Sequence, residues 1–223
     1  MLLAMKFWAA LHLIVAVAAS ETLIAYRVIG PELAKLYEQN GNTVVMDPAS
    51  GSSDQLGPGV YTSPKAGDWY PTQGKYVCAL YADTTQWNLA NKAWVPEKVT
   101  ANFETPSGDD QGCIPAWWMG KGPEFGRSKY LTQVGGAGFT TDNTILLSQI
   151  DMGSQPRTKL QMLIPKGLVG GKNTLGIRTE CVKFDASAGN NGADSFASIN
   201  KGEIDWSSWL NVKGTVQSAE PET

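Results

Sequence analysis

Short apolar runs separated by glycine, proline and small polar residues recur along most of this chain. Runs rich in valine, isoleucine, leucine and aromatic side chains are typical of β-strands. The pattern predicts strands at residues 23–28, 43–46, 60–63, 76–82, 93–95, 144–150, 160–164 and 175–184. Strands therefore dominate the predicted secondary structure.

One segment after the first predicted strand has helical instead of alternating periodicity. Pro31 suits the first position of a helix, and Leu33, Leu36 and Tyr37 form one apolar stripe at helical spacing. Gly41 is a suitable left-handed stop for that helix. We therefore expect an α+β fold in which an N-terminal helix directly follows the first strand.

The rest of the chain is predicted to form loops rather than further helices. Polar loops are expected at residues 47–55 and 105–111, and residues 117–138 form a glycine-rich stretch. A long loop of small residues is expected at 185–200, and the tail from Gly214 is predicted to be disordered.

The N-terminus has the features of a secretory signal peptide. Lys6 supplies a positive charge, residues 7–18 form a short apolar run, and Ala19 and Ser20 are small residues that suit cleavage. A membrane anchor or a buried helix are the alternatives. We expect a secreted, extracellular protein, divided into a signal peptide at 1–20, one domain at 21–213 and a tail at 214–223.

Histidine is nearly absent from the composition. The single histidine, His12, lies in the predicted signal peptide, so the mature chain has no imidazole for a Ser-His-Asp relay or a histidine metal site. The chain has 18 lysines and arginines against 21 acidic residues, with no dense basic run, so nucleic-acid binding is not indicated. Any chemistry must use carboxylates, Arg, Lys, Tyr, Ser or backbone amides.

Three cysteines follow the predicted signal peptide: Cys78, Cys113 and Cys181. In an oxidising compartment we expect one disulfide and one remaining thiol. The apolar surroundings of Cys78 favour a buried free thiol there and a Cys113–Cys181 pair, although the sequence does not choose the pair and all three could be reduced. Their spacing resembles no metal site, so no metal is expected.

Three pieces in the first third of the mature chain could form a ligand site. Tyr26 and Arg27 end the first predicted strand, and a permanently charged guanidinium can hold a pyrophosphate or ribose. Gly59 allows backbone amides to approach a ligand, and Tyr61 and Ser63 project to one face of the next strand. An aromatic segment containing Tyr70 then precedes the strand at 76–82.

The order of these pieces resembles the arginine-type branch of the ADP-ribosyltransferase superfamily, which includes secreted microbial toxins and similar fungal proteins. The resemblance covers about residues 22–83. It implies a split β-sandwich of two small sheets with NAD, used as a substrate, bound between them. It further implies that Arg27 contacts NAD, Tyr61 stacks near nicotinamide and Ser63 orders the pocket, with residues 139–141 as an alternative to the Ser63 strand.

The same resemblance implies a late carboxylate that stabilises the positive ribose in the transition state. Glu203 and Glu180 are the two candidates for this catalytic role. The expected reaction cleaves the nicotinamide–ribose bond and transfers ADP-ribose to a host or target protein, or to water. The expected protein is a monomer without nucleic-acid partners or stable membrane insertion.

Two other interpretations of the chain stay open. If no glutamate reaches the cleft, the same scaffold would belong to a secreted binding protein or effector without catalysis. Alternatively, Trp117 and Trp118 could bind carbohydrate, which requires both indoles exposed on one face.

Overall fold

The computed structural model describes residues 20–47, 54–105, 108–153 and 157–216. The predicted signal peptide up to Ala19, most of the predicted loop at 47–55 and the tail after Val216 lie outside the described residues. In chain order the elements are β1 (Glu21–Ile29), α1 (Pro31–Gln39), β2 (Gly59–Thr62), β3 (Tyr76–Asp83), α2 (Thr84–Leu89), β4 (Asn91–Trp94), β5 (Lys98–Thr105), β6 (Gly108–Pro115), α3 (Lys121–Gly135), β7 (Thr144–Gln149), β8 (Leu160–Pro165), β9 (Arg178–Lys183) and β10 (Val212–Lys213).

The strands form two small sheets and a separate hairpin. An antiparallel three-stranded sheet has the order β1-β3-β9, and a mixed five-stranded sheet has the order β10-β4-β7-β8-β2. Strands β5 and β6 pair only with each other among the described strands. The predicted α+β class with two small sheets is confirmed.

The central strand β3 explains how the smaller sheet is buried. Val77 and Ala79 pack on one face with Tyr26, whereas Cys78 and Leu80 pack on the other face with residues of α1 and the larger sheet. A strand covered on both faces needs a nearly continuous apolar sequence, which is the pattern found at 76–82. The main core therefore lies between the two sheets.

Helix α1 forms where the apolar stripe predicted it. Pro31 occupies the start of the helix, and Leu33 and Tyr37 are buried against the main core. Gly41, with a φ of 69°, follows the helix end in the left-handed region. The predicted helix after the first strand is confirmed, and it covers the face of β1 that carries Arg27.

The disulfide joins Cys78 of β3 to Cys181 of β9. These residues face each other directly in the antiparallel register, and their Cα atoms are 4.0 Å apart. The expected Cys113–Cys181 pair is wrong, because Cys113 lies on the β5–β6 hairpin, where it is exposed and unpaired. Strand pairing, which the sequence does not reveal, decided the partner.

Several elements differ from the sequence pattern. Helices α2 and α3 and the β5–β6 hairpin were not predicted, and residues 43–46 form no ladder with another described strand. Helix α3 contains Gly126 because a Cβ there would lie 2.3 Å from the carbonyl oxygen of Pro115. None of the described helices is long and apolar enough to cross a membrane.

A buried lysine ties the C-terminal segment to the larger sheet. The Lys92 side chain is fully buried on β4, and its Nζ donates to the carbonyl oxygens of Trp87, Ala90 and Leu210. Burial lowers the pKa of Lys92 from 10.5 to about 8. Burying the ammonium group therefore costs free energy, and its three hydrogen bonds to backbone carbonyls offset part of that cost.

Removal of the disulfide is expected to destabilise the fold. Replacing Cys78→Ala and Cys181→Ala together should lower the free energy of unfolding by about 2–5 kcal/mol, because the bond closes a loop across a separation of 103 residues. Urea denaturation measures this change. Cys113→Ser is the matched control and should change stability by less than about 0.5 kcal/mol. Equal unfolding midpoints for the double variant and the wild type would show that the bond is absent or without effect.

The lowered pKa of Lys92 predicts a pH-dependent stability. Between pH 8 and 10.5 the unfolded chain keeps the proton that the folded chain has released, so stability rises with pH in this window. Relative to Lys92→Met, the wild type should gain roughly 3 kcal/mol of unfolding free energy across it. Denaturation at several pH values measures the difference, with the exposed Lys172→Met as control. A difference that stays constant with pH would contradict this prediction.

Candidate functional site

Among the described residues, one antiparallel bridge joins edge strand β1 of the smaller sheet to Ser63, which directly follows edge strand β2 of the larger sheet. The backbone N–H of Tyr26 donates to the carbonyl oxygen of Ser63 at 2.9 Å, and the N–H of Ser63 donates to the carbonyl oxygen of Tyr26 at 2.8 Å. Strand β1 continues beyond this bridge along β3, whereas β2 pairs with β8. The strands thus separate next to the bridge and leave an open cleft.

The cleft has a volume of about 430 Å³, within the range of small-molecule sites. Its walls come from the ends of β1 and β2, from β8, and from the loop that connects β2 to β3. The lining residues are Arg27, Val28, Asp54, Tyr61, Trp69, Tyr70, Thr72, Lys75 and Gln161. Cationic, acidic and aromatic side chains therefore face one space.

The cationic side of the cleft is formed by Arg27 and Lys75. Arg27 is half-buried, and its Nη1 donates to the Tyr37 hydroxyl at 2.6 Å. Burial raises the pKa of Tyr37, so this phenol stays neutral and orients the guanidinium without cancelling its charge. Lys75 is exposed at the end of the β2–β3 loop. Together they provide a positive region for an anionic group.

The aromatic side is formed by Trp69 and Tyr70. Trp69 is 41% exposed and Tyr70 is 76% exposed. Tyr70 has a φ of 42°, and a bulky residue in this left-handed region is strained. The Lys159 ammonium lies 3.9 Å from the Tyr70 ring centroid and also donates to the carbonyl oxygen of Asp68. The strained loop therefore presents a supported aromatic ring to solvent.

Tyr61 closes the floor of the cleft and fixes the preceding turn. Its hydroxyl accepts from the N–H of Leu56 at 2.7 Å and donates to the carbonyl oxygen of Gly57 at 2.9 Å. Burial strongly raises the pKa of Tyr61, so the phenol is neutral over the ordinary pH range. The ring contributes a face to the cleft, and the hydroxyl holds the turn beside it.

Asp54 is the acidic residue among the cleft-lining side chains. Burial raises the pKa of its carboxyl group. Sequence reasoning missed Asp54 because it lies in the polar loop predicted at 47–55, where no periodicity indicates which side chain turns inward. The described turn at residues 54–57, which is held by contacts from distant parts of the chain, places this carboxylate.

Three of the residues expected at the site contribute to its framework instead of its surface. Tyr26 is fully buried, and its hydroxyl accepts from the backbone N–H of Lys201. Ser63 is also buried, and its hydroxyl donates to the carbonyl oxygen of Lys65. A Cβ on Gly59 would lie 2.6 Å from the backbone carbonyl oxygen of Ile164, so glycine is needed there for strand packing. None of the three is among the cleft-lining residues described.

Neither Glu180 nor Glu203 is among the described residues that line the cleft. In the strand pairing, Glu180 lies opposite Ala79, whereas Arg27 lies opposite the preceding residue of β3, Cys78. Alternation along strands therefore puts Glu180 on the other face of the sheet, where it pairs with Arg178 at 2.8 Å. Glu203 is exposed near Asp68. Burial raises the pKa of the Asp68 carboxyl, and the negative charge of Glu203 raises it further.

The tryptophan pair does not form a shared exposed surface. Trp117 is 3% exposed, and its indole N–H donates to the carbonyl oxygen of Val95, whereas Trp118 is partly exposed and donates to Asp151. The requirement for carbohydrate binding by both indoles is thus unmet. Residues 139–141 also lie outside the cleft lining, and Phe139 is buried in another core with Leu131.

Residues 54–215 match the model of a family of unknown function, DUF5910. The chain belongs to this family. No curated protein matches the chain. The family match contains Asp54, Tyr61 and the aromatic loop but begins after Arg27, and so it covers most but not all of the residues that form the cleft.

The hydroxyl of Tyr61 is expected to stabilise the turn that borders the cleft. Tyr61→Phe leaves the N–H of Leu56 and the carbonyl of Gly57 without this partner, so unfolding free energy should fall by about 1–3 kcal/mol. Chemical denaturation measures the loss. Tyr70→Phe removes the same atom from an exposed side chain and should have almost no effect. Equal effects of the two changes would contradict this role of the hydroxyl.

Proposed function

We propose that this chain is a secreted NAD-using protein. It binds NAD in the cleft between the sheets and breaks the nicotinamide–ribose bond, passing ADP-ribose to a protein or to water. The observation that carries the proposal is that Arg27, Tyr61 and Tyr70 line one cleft. The resemblance to ADP-ribosyltransferases nominates Arg27 and Tyr61, and the aromatic segment that follows them nominates Tyr70, so the three residues come from three separate segments.

The charges and rings of the cleft suit a dinucleotide. The guanidinium of Arg27 can donate two parallel hydrogen bonds to a phosphate, and Lys75 adds a second positive charge. Trp69, and the face of Tyr70 that is not covered by the Lys159 ammonium, offer stacking surfaces for a planar base. A cleft of about 430 Å³ is large enough for one nucleotide half of NAD, with the other half extending over its open rim.

Secretion is supported by two separate features. The predicted signal peptide precedes a domain with a disulfide between Cys78 and Cys181, and disulfides persist mainly in oxidising compartments. The resemblance to secreted toxins and effectors adds a host or target protein as the acceptor of ADP-ribose.

A non-catalytic binding protein is the second candidate. It is favoured by the positions of Glu180 and Glu203, neither of which is among the described residues that line the cleft. This candidate predicts NAD-independent behaviour or NAD binding without nicotinamide release. A release assay therefore separates the two functions.

Arg27→Gln is expected to weaken NAD binding by about 10- to 100-fold, because a charged hydrogen bond to phosphate is lost. Calorimetric titration with NAD measures the affinity, and chromatography measures released nicotinamide. Arg178→Gln is the matched control, because it removes an exposed arginine of the same sheet whose partners are Glu21 and Glu180. Its affinity should equal that of the wild type. Absence of both NAD binding and nicotinamide release in the wild type would refute the proposed function.

A further inference from the structure

Asp54 is placed differently from the other acidic residues considered for catalysis. It lines the same cleft as Arg27, Tyr61 and Tyr70. Glu180 lies on the other face of its sheet, and Glu203 is exposed outside the described lining. A carboxylate can act on a bound substrate only if it reaches the space that the substrate occupies.

The Asp54 carboxylate has no ionic partner among the residues that the structure describes. It is partly buried, and no described lysine or arginine forms a salt bridge with it. An acidic group removed from water without compensation is costly for stability. Such a group in a cleft is typical of functional sites, where a ligand supplies the missing partner.

The backbone that carries Asp54 is firmly held through the next residue. The buried Gln55 side chain donates from Nε2 to the carbonyl oxygen of Gln149 at 2.8 Å, and its Oε1 accepts from the N–H of Asp151 at 2.8 Å. The carbonyl oxygen of Gln55 accepts from the N–H of Trp118 at 2.6 Å. These contacts fix the turn to strand β7 and to the segment before α3.

The other side of this turn is fixed as well. The N–H of Gly57 donates to the carbonyl oxygen of Asp54, and the N–H of Leu56 donates to the Tyr61 hydroxyl. A catalytic group needs such a supporting set of contacts, because its charge must be in position before the reaction begins.

We propose that Asp54 is the carboxylate that faces the reacting ribose, and this assignment rests on the proposed function. When the C1′–N bond of NAD breaks, its electron pair leaves with nicotinamide, which becomes neutral. The ribose takes the positive charge, and the ionised Asp54 stabilises it electrostatically. Water or an acceptor side chain then forms a bond to C1′ and releases a proton to solvent. The step involves no oxidation or reduction.

Asp54→Asn tests this assignment because it keeps the size of the side chain and removes its charge. We expect nicotinamide release to fall by about 100- to 1,000-fold, while NAD affinity changes by less than about 3-fold. Asp142→Asn, an exposed acid in the turn before β7, is the control and should release nicotinamide at the wild-type rate. Thermal unfolding of each variant checks that the fold is intact.

A pH profile of the wild type provides a second test that does not depend on a variant folding. Release should rise with pH as the Asp54 carboxyl ionises, with a midpoint above the ordinary range for aspartate because burial raises its pKa. The profile of Asp54→Asn, where measurable, should lack this rise.

The outcomes separate the assignment from the proposed function. If Asp54→Asn releases nicotinamide as fast as the wild type, or if Glu203→Gln or Glu180→Gln loses release instead, the assignment is wrong and the function stands. If the wild type binds NAD without releasing nicotinamide, Asp54 has no catalytic role and only binding remains. If the wild type neither binds nor cleaves NAD, the proposed function and the assignment both fail.

Discussion

The pairing of Tyr26 with Ser63 is the constraint on which the arrangement of the site depends. These two hydrogen bonds connect the edge strand of the three-stranded sheet to the edge strand of the five-stranded sheet. Beyond them the strands diverge, and Arg27 and Tyr61 come to face one space. Because both bridge residues are buried, the bridge is protected from competing water. The framework role of Tyr26 and Ser63 thus explains why residues expected to contact a ligand lie behind the cleft instead.

The surroundings of the cleft combine rigid support with local strain. Cys78 lies beside Arg27 in the register, so the disulfide fixes the strand that neighbours the arginine and joins it to β9. Tyr70, which lines the cleft, has a φ of 42°. Trp118, whose N–H donates to the turn that carries Asp54, has a φ of 73°. Strained backbones persist where the surrounding structure determines them, and they are frequent at functional sites. The strain at these two aromatic residues fits a site that is formed before any ligand arrives.

The sequence predicted elements with strong local signals and missed those that depend on distant contacts. Helix α1 and strand β3 followed from their apolar patterns, and Arg27, Tyr61 and Tyr70 were nominated for the cleft that they line. Helix α3 was missed because Gly122, Pro123 and Gly126 give it a poor intrinsic propensity, and packing compensates for it. The sequence could not predict the disulfide partner, because strand register determines it. It could not predict that Asp54 lines the cleft either, because contacts with distant residues determine that position.

We expect NAD to occupy the cleft beside the Tyr26–Ser63 bridge, and a crystal structure of the protein with bound NAD would locate the ligand. We expect a phosphate against Arg27, a planar ring against Tyr70 or Trp69, and the ribose C1′ beside the Asp54 carboxylate. NAD bound at another surface, or a cleft that stays empty at saturating NAD, would contradict this expectation.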